Sequence, residues 1–256
     1  MTSTTMSGRL NALGRAELTL LARNRTAVFV ALLVPLAMVA AMKSTLEQVD
    51  LGGTGLTVAG AALTGGIGMV LMQVVYMNLV AAYVARREDL VLKRLRTGEI
   101  ADREILAGTA LPSVALALAQ AVLVVLAGAV LFGLGAPERP DLLVAGLLLG
   151  VVLLAALAAA TSAVTRTVQT AQITTLPLFL VSMMGSGIFV PLEILPDRVA
   201  SVCELLPVTG VMTLVRAGWL GGADGHDLLG AGLTALAWTV LALFAVQRWF
   251  RWEPRR

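Results

Sequence analysis

Charged residues are scarce in this sequence: they make up 14% of its 256 residues, whereas 58% are hydrophobic. Soluble domains usually carry about 25% charged residues. The mean hydropathy of +0.87 is correspondingly high. This composition excludes an ordinary soluble enzyme and, even more firmly, a disordered chain.

Cysteine and histidine are nearly absent, with one of each, Cys203 and His226. These numbers exclude a disulfide scaffold, a cysteine-rich metal site and a multi-histidine metal centre. The sequence Gly185-Ser186-Gly187 suggests a serine nucleophile, but a lone histidine expected outside the membrane leaves it without a general base. Neither lysine stands in a Gly-Lys-Ser/Thr phosphate loop. We therefore expect no catalytic residue, metal or cofactor in this chain. Cys203 is expected to be unpaired, with an inter-subunit bridge as the alternative.

Long stretches without any charge dominate the sequence. Six of them, 17 to 35 residues long, cover residues 26–42, 51–85, 105–137, 142–165, 167–192 and 228–247. A helix needs about 20 mainly apolar residues to cross a bilayer. The first stretch is too long and begins too late in the chain for a signal peptide. We predict an all-α membrane protein, with residues 1–256 forming a single transmembrane domain. The six transmembrane helices are placed at about residues 26–46, 56–85, 105–134, 142–164, 168–190 and 228–247.

Basic residues are distributed unevenly around these spans. Fifteen lie on the side of the two termini and four on the other side. Because basic residues resist translocation, both termini are predicted to be cytoplasmic. This topology explains the basic pI of 9.6 without nucleic acid. Seventeen arginines against two lysines, with abundant alanine and glycine, indicate a GC-rich bacterial genome and hence the bacterial cytoplasmic membrane.

Three segments outside the spans have patterns of their own. Leucines gather on one face of residues 9–24, which predicts an amphipathic helix lying along the inner leaflet. Residues 86–104 combine six basic and five acidic residues with leucines at helical spacing, which favours a docking surface for another protein; a solvated helical hairpin is the alternative. In the external segment 191–227, the apolar runs 199–206 and 208–220 are too short to span, and they predict short re-entrant helices.

The interiors of the spans contain uncharged polar side chains but no charged ones. Intramembrane charge usually marks an ion or proton path, so its absence argues against an ion-coupled secondary transporter. The polar side chains serve either helix–helix hydrogen bonds or a weakly polar cavity for an amphiphilic substrate. The candidates for the cavity are Gln73, Asn78, Gln120, Gln172 and Thr175.

The sequence resembles the permease subunits of type-2 ABC exporters, and among them the bacterial drug-export permeases of the daunorubicin-resistance kind. The resemblance rests on the basic N-terminal helix before six spans and on two sequence segments. The first segment is Arg-Arg-Glu-Asp-Leu-Val-Leu-Lys-Arg-Leu-Arg at residues 86–96. The second runs from Ser-Gly-Ile-Phe-Val-Pro at residues 186–191, through Leu195-Pro196 and Leu206-Pro207, to Arg216. Many members have Thr-Pro or Ser-Pro after the Leu-Arg of the loop, whereas Thr97-Gly98-Glu99 follows here.

The resemblance implies how the protein works and with which partners. A separate ATP-binding subunit, holding ATP and Mg²⁺, would dock on residues 86–104 and on the N-terminal helix. Two permeases, expected to be copies of this chain with a heterodimer as the alternative, would form an exporter for a lipophilic small molecule, drug or lipid-like substrate in the lipid membrane. The coupling residues would be Arg86, Arg87, Glu88, Asp89, Lys93, Arg94, Arg96 and Glu99. A secondary transporter and a non-transporting scaffold or immunity protein are the alternative functions.

Overall fold

The computed structural model of the chain describes residues 25–49, 51, 54–96 and 101–253. Within these ranges the regular structure is helical and no β-strand occurs, which confirms the all-α prediction. The predicted interfacial helix over residues 9–24 lies outside the described residues. In chain order the helices are α1 (Arg25–Leu46), α2 (Val58–Glu88), α3 (Val91–Arg96), α4 (Asp102–Leu131), α5 (Pro140–Val164), α6 (Val168–Gly185), α7 (Asp197–Cys203), α8 (Thr209–Leu220) and α9 (Gly225–Trp249).

Helices occupy the positions of all six predicted spans. Four of them, α2, α4, α5 and α9, are long and apolar enough to cross a membrane. The described apolar part of α1 is shorter, Leu33–Leu46. The fifth, α6, has 18 residues and ends at Gly185, five residues before the predicted boundary. At 1.5 Å per residue it is about 27 Å long, slightly less than the hydrocarbon core of a bilayer. The count of six spans therefore stays a prediction.

The central helix of the bundle is α2. Every residue from Gly60 to Val70 is buried, and the helix packs against α1, α4, α5, α6 and α8. Glycines on α2 permit this crowding: a Cβ on Gly66 would lie 2.2 Å from Cγ2 of Val39 on α1. A Cβ on Gly68 would lie 2.7 Å from the sulfur of Met212 on α8. Small residues thus let several helices approach one helix at once.

A π-helical segment, Leu71–Met77, interrupts α2 without breaking it. The backbone N–H of Asn78 donates to the carbonyl of Gln73, five residues earlier, which is the i→i+5 spacing of a π-helix. The sequence analysis did not predict this segment, because no residue type in it distinguishes a π-turn from an α-turn. Such turns are frequent at functional sites, and this one borders the cavity described below.

The two short apolar runs after α6 form α7 and α8, close to the predicted positions. Helix α8 is almost wholly buried between α5 and α9, as the predicted re-entrant helix would need to be. The contact is close because a glycine faces each neighbour: a Cβ on Gly218 would lie 2.4 Å from the backbone nitrogen of Leu143. On the other side, a Cβ on Gly210 would lie 2.2 Å from the carbonyl oxygen of Ala231.

The α5–α8 contact yields a test of the packing. A Gly218→Ala substitution places a methyl group against backbone atoms of α5 that cannot rotate away, so overpacking is expected to destabilise the protein by about 1–3 kcal/mol. Thermal unfolding of the purified protein in detergent measures this as a lower melting temperature. The matched control is Gly230→Ala on α9, where a Cβ meets no atom within 4 Å. Equal melting temperatures for the two variants would contradict the close approach of α5 and α8.

Candidate coupling surface and polar cavity

The turn between α2 and α3 places two acidic side chains and a leucine at the surface. Glu88 and Asp89 are exposed, and Leu90 is 39% exposed. Leu90 adopts φ 58°, the left-handed region that a branched side chain rarely enters. This conformation separates α2 from α3, which begins at the next residue and packs against α2 and α4.

Arg87, one of the predicted coupling residues, does not lie on this surface. Its side chain is 1% exposed, and its guanidinium donates to the carbonyl of Ser162 over 2.8 Å and to that of Thr165. A weaker bond of 3.5 Å reaches the carbonyl of Arg166. These carbonyls belong to the end of α5, where helical carbonyls have no partner within their own helix and a positive charge is favoured. Arg87 therefore ties α2 to α5.

The basic side chains of α3 contact other parts of the same chain. The Lys93 ammonium lies 2.9 Å from a carboxylate oxygen of Glu253. The Arg96 guanidinium pairs with Asp102 at 3.2 Å and lies 4.9 Å from the ring centre of Trp252. The sequence analysis missed the C-terminal residues Trp252 and Glu253. Two of the four tryptophans, Trp249 and Trp252, flank Phe250 at the end of the last span, and this aromatic cluster was the available signal.

The structure therefore gathers most of the predicted coupling residues at one end of the bundle. The exposed members are Glu88, Asp89, Lys93, Arg94 and Arg96. Arg86 is half-buried, with its guanidinium 3.4 Å from the Thr109 hydroxyl. Arg87 is buried, and Glu99 lies outside the described residues. Exposed charges of both signs beside a leucine make this end suitable for docking a protein.

A cavity of about 220 Å³ opens between α1, α2 and α4, and three predicted polar residues lie in it. Gln73 and Asn78 belong to α2, and Gln120 belongs to α4. Five residues apart on a regular α-helix, Gln73 and Asn78 would diverge by about 140°. The π-helical turn brings them to the same side. The remaining lining residues are apolar: Val34, Pro35, Met38, Gly66, Met69, Val70, Val74 and Leu116.

The other two predicted cavity residues lie elsewhere, on α6. The Gln172 side chain is exposed, and the Thr175 side chain is buried with its hydroxyl donating to the Gln172 carbonyl over 2.9 Å. Neither residue lines the cavity. The hydrophobic pattern alone could not separate the polar residues of α6 from those that line the cavity. A polar residue within a span looks the same in the sequence whichever way its helix is rotated.

Gly187 and Arg216 belong to the second sequence segment that resembles the exporter permeases. They contact each other just after α6 ends at Gly185. The Arg216 guanidinium donates to the Gly187 carbonyl over 2.6 Å and to the Glu193 carboxylate over 3.1 Å. Gly187 has φ +71°, and a Cβ there would lie 2.8 Å from Nη2 of Arg216. Only glycine suits this position, for reasons of both conformation and space. The contact fixes α8 against the chain that leaves α6.

Comparison with protein families agrees with this geometry. The sequence model of the ABC-2 type transporter family matches residues 9–220. The chain belongs to the ABC-2 type transporter family. No curated protein matches it at a significant level. ABC-2 membrane domains are the permease components of ABC transporters, which work with an ABC ATP-binding partner. The prediction of a multi-pass membrane permease is thereby confirmed at family level.

The buried arginine of this ABC-2 permease gives a second test. Replacing Arg87 with alanine leaves the carbonyls of Ser162 and Thr165 buried without a donor, which costs about 1–3 kcal/mol for such groups. We expect a clearly lower melting temperature for Arg87→Ala and a smaller loss for Arg87→Lys, which keeps the charge but fewer donors. Arg103→Ala, an exposed arginine on α4, is the control. An Arg87→Ala protein as stable as this control would argue for a direct docking role instead.

Proposed function

We propose that this chain is the permease subunit of an ATP-driven exporter that moves a lipophilic small molecule, a drug or a lipid-like compound, out across the bacterial cytoplasmic membrane. The cavity between α1, α2 and α4 carries the proposal, since all eleven residues that line it are uncharged. Eight of them are apolar or glycine, and three supply amide groups. Binding sites for drug-like molecules combine an apolar wall with a few polar groups that orient the ligand.

The size of the cavity favours a pair of permeases. At about 220 Å³ it is smaller than the pockets of about 300–1,000 Å³ that hold drug-sized ligands. We propose that a second copy of this chain completes the site, so that two cavities form one substrate path. A homodimer would also present two coupling surfaces to two ATP-binding subunits.

Energy would enter at the α2–α3 turn. The ATP-binding subunit, which carries ATP and Mg²⁺, would dock on the exposed charges of residues 86–96 and on the predicted N-terminal helix. The different affinity of nucleotide for two states of the assembly would drive the switch between them. A displacement at the turn passes directly into α2, and the π-helical segment of α2 borders the cavity. The same helix thus contacts both the energy source and the substrate path.

The proposed topology has six spans, both termini in the cytoplasm, and α7 and α8 at the external side. The uneven distribution of basic residues supports it. The contact between Lys93 and Glu253 also supports it, because it brings the C-terminal segment to the same end of the bundle as α3. Four crossings, formed by α4, α5, α6 and α9, would return the chain to that side.

The cavity residues provide a transport test. Alanine at Gln73 and Asn78 removes two amide groups from the cavity, and each lost hydrogen bond is worth about 0.5–1.5 kcal/mol. Using daunorubicin as a fluorescent probe in inside-out vesicles with the ATP-binding partner, we expect the KM for ATP-dependent uptake to rise by about 2- to 10-fold per residue. Gln172→Ala, an amide on α6 outside the cavity, is the matched control. Equal effects of all three substitutions would rule out this cavity as the substrate site.

Co-purification tests the function as a whole. The chain is co-expressed with the candidate ABC ATP-binding subunits of its own genome and captured by a tag, and the eluate is assayed for ATP hydrolysis. We expect a stable, ATP-hydrolysing complex that is lost in Glu88→Lys/Asp89→Lys but kept in Glu204→Lys, an exposed carboxylate beyond α7. A folded, monodisperse protein without a bound ATPase would refute the exporter. A bound ATPase whose turnover ignores the permease would favour a non-transporting scaffold.

A further inference from the structure

The six-residue helix α3 has few contacts of its own to hold it in place. Only Leu92 among its residues is buried, and so short a helix is not stable by itself. It is joined to α2 through the turn at Leu90. Its orientation, and hence the direction in which it can push, must therefore come from side-chain contacts with neighbouring segments.

Helix α4 supplies one of those contacts through the Arg96–Asp102 pair at 3.2 Å, and the segment after α9 supplies others. The chain leaves helical geometry at Phe250, whose ring lies edge-on to Tyr83 of α2 with ring centres 6.1 Å apart. The Trp252 ring packs on Phe250 at 4.9 Å. Tyr83 is itself fixed, because its hydroxyl donates to the Leu106 carbonyl of α4 over 3.0 Å. The aromatic row thus rests on α2 and α4.

Two basic residues of α3 contact this segment: Arg96 contacts Trp252 of the aromatic row, and Lys93 contacts Glu253, the residue after it. The Arg96 guanidinium lies 4.9 Å from the centre of the Trp252 ring, within the range of a cation–π contact. One helical turn earlier, the Lys93 ammonium lies 2.9 Å from the Glu253 carboxylate. The ion pair is exposed and weak by itself. Two contacts three residues apart on the same helix nevertheless fix both its position and its rotation.

We propose that Phe250, Trp252 and Glu253 form a C-terminal brace that positions α3 and connects it mechanically to the last span. Phe250, Trp252 and Glu253 are positioning residues: they act through Lys93 and Arg96 and need not touch the ATP-binding subunit. Through the brace, a displacement of α3 reaches α9 directly, in addition to α2. The inference rests on the proposed function, since it assigns a route for the same ATP-driven motion.

The brace is tested in the co-expressed complex by measuring both ATP hydrolysis and ATP-dependent daunorubicin uptake. We expect Glu253→Lys and Trp252→Ala to lower uptake per ATP hydrolysed by about 3- to 10-fold, the range typical of side chains that carry coupling. Arg251→Ala, an exposed residue in the same segment, is the matched control and should behave as wild type. Because Lys93 also lies on the proposed docking surface, Lys93→Glu is measured alone and together with Glu253→Lys. Uptake per ATP that is higher in the double variant than in either single variant would show that the pair itself matters, because a change in folding or docking alone would not be restored by a second charge reversal.

A reversible cross-link separates a permanent brace from a contact that must open. In a Cys203→Ser background the chain has no other cysteine, so Lys93→Cys/Glu253→Cys can be joined selectively by a bis-methanethiosulfonate reagent whose length replaces the two long side chains, and released again by reduction. We expect the cross-linked complex to keep its uptake. Loss of uptake on cross-linking and recovery on reduction would overturn the brace. It would also be overturned if Glu253→Lys and Trp252→Ala matched Arg251→Ala while the wild-type complex transports. A wild-type complex that hydrolyses ATP without daunorubicin uptake would refute the proposed export of this drug, independently of the brace variants.

Discussion

The contact between the buried guanidinium of Arg87 and the carbonyls at the end of α5 is the interaction on which the arrangement of helices in this permease depends. A charge removed from water is tolerated only when partners surround it, and the end of α5 offers carbonyls that its own helix leaves unpaired. The buried charge needs partners and these carbonyls need a donor, so their contact fixes the end of α2 against α5. The turn at Leu90 follows three residues later, so the point at which the coupling surface leaves the bundle derives from this contact.

A second constraint is the space around α2. This helix contacts α1, α4, α5, α6 and α8. In lipid there is little hydrophobic driving force between helices, so their association depends on close van der Waals packing. Glycines on α2 permit that close packing. The same helix gives up regular geometry over Leu71–Met77. The irregular segment turns two amide side chains toward one cavity. Helix α2 therefore combines close packing on most of its sides, which its glycines permit, with a cavity containing amide groups on one side, which its π-helical segment borders.

The two ends of the bundle are held differently. At the α3 end, exposed and individually weak contacts join α3 to the C-terminal segment, an arrangement that suits the proposed docking surface. At the other end, the Arg216 side chain is only 11% exposed and joins α8 to Gly187 and Glu193. Burial of the Arg216 side chain reduces competition from water on its side of the pair, although the Glu193 side chain is 37% exposed. The arrangement suits a segment that must stay folded beside the membrane.

The sequence by itself determined the helical class, the position of the helices and the two segments that carry family character. These features depend on hydropathy and charge, which are properties of residues read in order: charge is excluded from lipid, and apolar runs of sufficient length form helices there. It also identified Gln73, Asn78, Gln120 and Gln172 as amide groups within spans, and Thr175 beside them. Only the tertiary structure decided which of these amides share a cavity, because a π-turn and the rotation of each helix leave no compositional trace. For the same reason the pattern could not distinguish Arg87 from the exposed Arg94, or foresee that Trp252 and Glu253 lie against α3. Those contacts join residues far apart in the chain, and burial and partnership are properties of the fold alone.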